Sequence, residues 1–154
     1  MLFWEDDPVC THTLAGTASI LFTDLVEKLA PAHSWDRMAQ EDNGLGASEY
    51  FKIVRNAQNF LKHARDDHTG TLEFNPLETE ALLLLAVMNA SEIAPMSPEA
   101  QVYQLWALAR QFPAEAAGQS PFREAIAHFG DLRQVSRPQR LALAKQALLE
   151  FAPR

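Results

Sequence analysis

A short polar residue followed directly by proline recurs along this chain, at Asp7-Pro8, Asn75-Pro76, Ser97-Pro98 and Ser120-Pro121. The pair is a helix-starting device. The polar side chain can accept a hydrogen bond from a backbone N–H of the first turn, while proline supplies a φ already suited to helix and lacks an N–H that would go unpaired there. Ser136-Arg137-Pro138-Gln139 is a related form with capping-box spacing. Strand signals are nearly absent, so the chain reads as all-α.

Six helices follow from these starts. The first spans Pro8 to about Leu29, with Leu14, Ala18, Leu21, Phe22, Leu25 and Val26 on one stripe. Ala30 to Ala47 reads as a long loop because it holds Pro31, Asn43-Gly44 and Gly46. The second helix runs from Ser48 to Arg65, and Asp66 to Phe74 is a loop with a short extended piece at Thr71–Phe74. A third helix, Pro76 to about Asn89, is apolar on every side beyond its first turn and should be enclosed by the others. The fourth spans Pro98–Gln111, the fifth Pro121–Phe129 ahead of Gly130, and the last Arg137–Phe151. At 154 residues this fits a single-domain bundle, residues 1–154, around a central apolar helix. Leu2, Phe3 and Trp4 either pack under a neighbouring helix or are the remnant of a preceding one, with residues 1–7 as its end.

Charge and cysteine content narrow the function classes. The net charge is −7, which argues against a molecule-wide footprint for duplex nucleic acid. It is distributed unevenly: −3 over residues 1–65, −7 over 66–118 and +3 over 119–154. The single cysteine, Cys10, excludes an intramolecular disulfide and fits a reducing compartment. The longest apolar run, Ala81 to Met88, has eight residues, and a bilayer needs about 20. The start carries no basic n-region. The expectation is a cytoplasmic protein that does not engage a membrane.

One helix face stands out. If Ser48–Arg65 is a continuous helix, turning about 100° per residue, then Lys52, Arg55, Asn59, Lys62 and His63 form one polar stripe. Tyr50, Ile53, Val54, Ala57, Phe60, Leu61 and Ala64 lie opposite. The stripe is locally basic in an acidic chain. Arginine pairs bidentately with phosphate, an amide can orient a 2′-hydroxyl, and histidine can move a proton near neutral pH. The same residues also suit a solvated face or a protein-binding surface.

The Arg55-Asn56…His63 pattern resembles the HEPN superfamily, whose Arg–polar-spacer–His motif on one helix forms a metal-independent RNase site, often across a dimer. Seven residues separate Arg55 from His63, a longer spacer than that family's. The resemblance implies Arg55 as phosphate contact, His63 as acid/base and Asn59 as polar partner. Asp7–Leu21 (DPVCTHTLAGTASIL) and Ala57–Pro76 (AQNFLKHARDDHTGTLEFNP) are also similar to small bacterial all-helical proteins with paired HTLA and FKHA segments. That likeness implies no activity.

Other residues are read against bland alternatives. His12 either joins His63 in a two-histidine site or hydrogen-bonds a neighbouring segment. With Asp66, Asp67 and His68 these histidines could form an O/N metal site, but no ligand motif is present, so no metal or cofactor is expected. Cys10 is either a thiol activated by the helix dipole or an inert buried residue. Gly16 should permit close helix approach; Trp35, Trp106 and Phe112 should anchor packing; Gly44-Leu45-Gly46 follows no strand and is no nucleotide fingerprint. The preferred reading is a non-enzymatic interaction or dimerisation module with a protein partner or second subunit on the Lys52–His63 stripe. The alternative is a HEPN-like RNase or RNA-contacting protein using Arg55, Asn59 and His63, with Lys52, Lys62 and His12 as binding residues.

Overall fold

The computed structural model describes residues 1–63, 69–112 and 118–151, and these are helical with no strand among them. Eight α-helices occur: α1 (Pro8–Leu29), α2 (Trp35–Asn43), α3 (Ala47–Val54), α4 (Asn56–Lys62), α5 (Pro76–Ser91), α6 (Pro98–Gln111), α7 (Phe122–Phe129) and α8 (Arg137–Phe151). Single 3-10 turns lie at Leu2–Trp4 and Pro31–His33. The chain divides into two compact units, Asp7–Ala94 and Met1–Asp6 with Pro95–Arg154, where one domain was expected.

Three polar–proline pairs cap as anticipated. Asp7, Asn75 and Ser97 accept from the N–H groups of Cys10, Leu77 and Ala100, opening α1, α5 and α6. The fourth does not: α7 starts at Phe122, with Pro121 at the N-cap and no side-chain cap. At α8, the Ser136 hydroxyl donates to Gln139 Oε1 at 2.8 Å. Gly130 ends α7 with φ 69, a left-handed value that glycine adopts without a Cβ penalty.

Two expectations are corrected in the Asp7–Ala94 unit. The Ala30–Ala47 loop contains the 3-10 turn and α2; Ser34 caps α2 through the Arg37 N–H, and Gly44, at φ 64, closes it. The breakers Pro31 and Asn43-Gly44 bracket a helix here; they do not mark its absence. The expected Ser48–Arg65 helix, of which Ala64 and Arg65 lie outside the described residues, is two helices broken at Arg55, whose φ −106 and ψ 20 are non-helical. Thr71–Phe74 is irregular, and Phe74 sets its ring edge-on to His12.

Within this unit α1 packs along α5, and α2 and α4 flank them. Leu82, Leu84, Ala86, Val87 and Met88 of α5 are buried, whereas Leu83 and Leu85 are half-buried and Ala81 is exposed, so the expected enclosure is partial. In the other unit α6 packs on α7 and α8. Trp106 is fully enclosed, and its indole N–H donates to the Arg140 carbonyl at 2.8 Å. Phe3 is buried there against Tyr103 and Trp106, and Lys145 lies over the Trp4 ring.

Candidate functional site

The nominated stripe depended on one continuous cylinder, and the break at Arg55 removes that condition. Lys52, Asn59, Lys62 and His63 are exposed. Arg55 is not: its guanidinium turns inward, donating from Nη2 to Thr23 Oγ1 at 3.1 Å and lying 3.9 Å over the Phe51 ring. Its Nε is buried without a partner. Burial lowers its pKa, while Asp36, Asp24 and Tyr50 act in the opposite direction. The arginine that the RNase reading needs as its phosphate contact is thus half-buried and engaged with Thr23 and Phe51. Ile53, assigned to the core face, is 61% exposed, and Gln58 is buried in its place.

Arg55 belongs to a polar cluster that sequence reasoning missed. Its centre is Asp36, 1% exposed. Asp36 Oδ2 accepts from Asn89 Nδ2 at 2.7 Å and lies 2.8 Å from the Thr23 hydroxyl; Oδ1 accepts from the Tyr50 hydroxyl at 3.1 Å. Asn89 Oδ1 in turn accepts from the Trp35 backbone N–H at 3.0 Å. One carboxylate therefore ties α1, α2, α3 and α5 together. Burial first, and Asp36 second, push the Tyr50 phenol well above its ordinary pKa, so it stays protonated and donates. The available signal was Ser34-Trp35-Asp36-Arg37, a capped helix start hidden in the presumed loop. Beside the cluster, a cavity of about 630 Å³ is lined by Thr23, Asp24, Glu27, Arg37, Glu41 and Phe51 among others. Arg37 pairs with Glu27 there and holds its carboxyl below the usual range.

His12 is 1% exposed; its Nδ1 lies 2.9 Å from Thr79 Oγ1. It is a core histidine on the inner face of α1, and burial lowers its pKa, with Glu78 opposing. Among the described residues no three of His, Cys, Asp and Glu gather as for a metal. Asp66, Asp67 and His68 lie outside the described residues. Cys10 is exposed, where burial was the bland expectation, and Asp7 raises its thiol pKa, opposite to activation.

The outer face of α1 is another exposed surface. From Pro8 to Thr23 the helix contains no Asp, Glu, Lys or Arg. Its exposed residues there include Cys10, Thr13, Thr17, Leu14 at 56% and Leu21 at 52%. The Thr13 and Thr17 hydroxyls donate to the carbonyls of Val9 and Thr13, both at 2.8 Å, which uses their polarity inside the helix. By length and composition α1 would also pass as a membrane-spanning helix, yet its inner face buries Thr11, His12, Ser19 and Thr23. The Pro95–Arg154 region holds a second cavity, about 500 Å³, lined by Val102, Leu105, Glu124, Ala127, His128 and Phe151 among others.

A scan against protein-family models, a search of curated proteins and a search of solved structures each found no match.

Proposed function

We propose that this protein is a non-enzymatic, cytoplasmic protein-interaction module whose docking element is the outer face of α1. The observation supporting this is the charge-free stretch Pro8–Thr23 with Leu14 and Leu21 more than half exposed. A helix on a globular surface normally sets charged and polar residues opposite its core face. A contiguous apolar surface of that kind generally marks an interaction site. A protein partner suits it better than a lipid surface. Helices that lie in a bilayer interface carry Lys and Arg along their polar face, and α1 has a single basic residue, Lys28.

The test is photo-crosslinking in cells. A benzophenone amino acid at Thr17 should yield a protein adduct, while the same probe at the exposed Asp42 of α2 yields none. Equal yields at both positions, or no adduct at Thr17, would remove the reading. Co-flotation of the purified chain with anionic vesicles would replace it with membrane binding.

A further inference from the structure

The outer face of α1 also carries a pattern that specifies its partner, and we infer that the partner is a second copy of this chain, with the two α1 helices antiparallel about a two-fold axis. This rests on the interaction reading above. Asp7, Leu14, Leu21 and Lys28 recur every seven residues, and Cys10, Thr17 and Asp24 follow the first three of them by three. All seven are exposed. Three-four spacing of this kind places side chains along one seam of a helix, the arrangement through which paired helices interlock.

The seam is self-complementary in one direction only. With the axis between Thr17 and Ala18, each Leu14 faces the second copy's Leu21. Each Asp7 then faces the second copy's Lys28, so both ends of the contact join opposite charges. Thr17, small and with its hydroxyl turned back onto the Thr13 carbonyl, lies at the crossing and allows close approach. A parallel pairing would set Asp7 on Asp7, Asp24 on Asp24 and Lys28 on Lys28, which repel. Antiparallel packing also brings each helix N-terminus beside the other's C-terminus, where the macrodipoles attract. A two-fold contact requires one patch to match itself, residue i meeting j and j meeting i. Asp7, Leu14, Leu21 and Lys28 satisfy that requirement, while Asp24 in this register falls opposite Thr11 and makes no charge pair.

Sedimentation velocity of the purified full chain over a concentration series tests this. The wild type should be dimeric, and Leu14→Glu with Leu21→Glu should be monomeric with an unchanged circular dichroism spectrum, since both positions are exposed. Direction is read by oxidative crosslinking in a Cys10→Ser background. Leu14→Cys with Leu21→Cys should form a covalent dimer, and Leu14→Cys alone should not. Efficient crosslinking by the single variant would overturn the antiparallel pairing. A wild type that stays monomeric, or a dimer indifferent to both glutamates, would overturn the inference. If that monomer still gives Thr17 adducts with another protein, the interaction reading survives; without adducts both are lost.

Discussion

Two polar clusters lie along the inner face of the same helix, and they differ in how far their polar atoms are paired. Toward the C-terminal end of α1, Thr23 joins Asp36, Tyr50, Arg55 and Asn89; both oxygens of the buried carboxylate have donors, while Arg55 Nε is left without a partner. Nearer its N-terminus, Gly16 meets Gln58 of α4 and the inner face also buries His12 and Ser19, and most of the polarity there is unpaired. His12 Nε2, Ser19 Oγ and both ends of the Gln58 amide are buried without partners. A satisfied buried network fixes the geometry of the helices it joins, while an orphaned polar atom costs its full desolvation. The comparison predicts where this fold is brittle and where it can be improved.

Removing Asp36 should have the largest effect. Asp36→Ala leaves the Tyr50 hydroxyl and the Asn89 amide without their shared acceptor and removes the carboxylate whose charge supports Arg55. Loss of one partner from a buried charged set costs roughly 3–5 kcal/mol. Urea unfolding should show a large fall in midpoint, with fast hydrogen exchange in α2. A midpoint within experimental error of wild type would show that the cluster does not hold these helices together.

Gly16 probes the other cluster. A Cβ placed there would lie 2.3 Å from Gln58 Oε1 and 2.5 Å from its Cδ. Gly16→Ala should therefore destabilise by about 1–3 kcal/mol, the range for overpacking a filled interior. The double variant Gly16→Ala, Gln58→Ala should recover part of that loss, giving a measurable coupling in a double-mutant cycle. Additive effects would mean that the close approach of α1 and α4 is not what glycine provides.

Gln58→Leu should move stability the other way. It keeps most of the side-chain volume while deleting two buried atoms that have no hydrogen bond, 1% of the residue being exposed. A gain of about 1 kcal/mol is expected, from the 1–3 kcal/mol penalty of an unsatisfied buried group less some imperfect packing. Destabilisation instead would show that the amide has partners when the protein is in solution.

These two clusters also mark what the sequence could and could not reveal. Helix starts at Asp7, Asn75 and Ser97 were legible because capping is local chemistry: a side chain reaches an N–H two or three residues on. The burial of most of α5 was legible too, since a helix apolar on every side offers little solvent face, although Ala81 is exposed and Leu83 and Leu85 are only half-buried. The break at Arg55 was not. Nothing within residues 47–62 forbids a continuous helix; the non-helical φ and ψ coincide with a guanidinium that reaches Thr23, 32 residues earlier. That long-range contact takes Arg55 out of the predicted stripe, and Ile53, assigned to the core face, is exposed. Asp36 escaped notice because its helix lies between Pro31 and Gly44, residues that signal loops until a cap is recognised at each end. The outer face of α1 was visible as sequence but read wrongly: Leu14 and Leu21 were counted with the core, whereas the buried line is Thr11, His12, Ala15, Gly16, Ser19, Thr23 and Val26. A helix with no charged residue over its first four turns gives no polar face to orient it, so periodicity alone could not tell inside from outside.

The smallest effect expected is a pH dependence confined to His12. Burial lowers its folded-state pKa, and Glu78 offsets this only in part. The unfolded chain, with an ordinary value near 6.5, therefore binds a proton at pH values where the folded chain does not. Stability depends on the difference in bound protons, so it rises with pH across that window and is lost as pH falls below about 6.5. The slope from one such group is at most about 1.4 kcal/mol per pH unit. Carboxylates held low, such as Glu27 beside Arg37 and Asp131 beside Arg133 at about 2, release their contribution only at more acidic pH, as their unfolded values near 4 are approached. Between pH 7 and 5.5 the wild-type melting temperature should fall, and His12→Asn, which can still hydrogen-bond Thr79 but does not titrate, should flatten that fall. An unchanged slope in His12→Asn would mean that His12 does not carry this pH dependence.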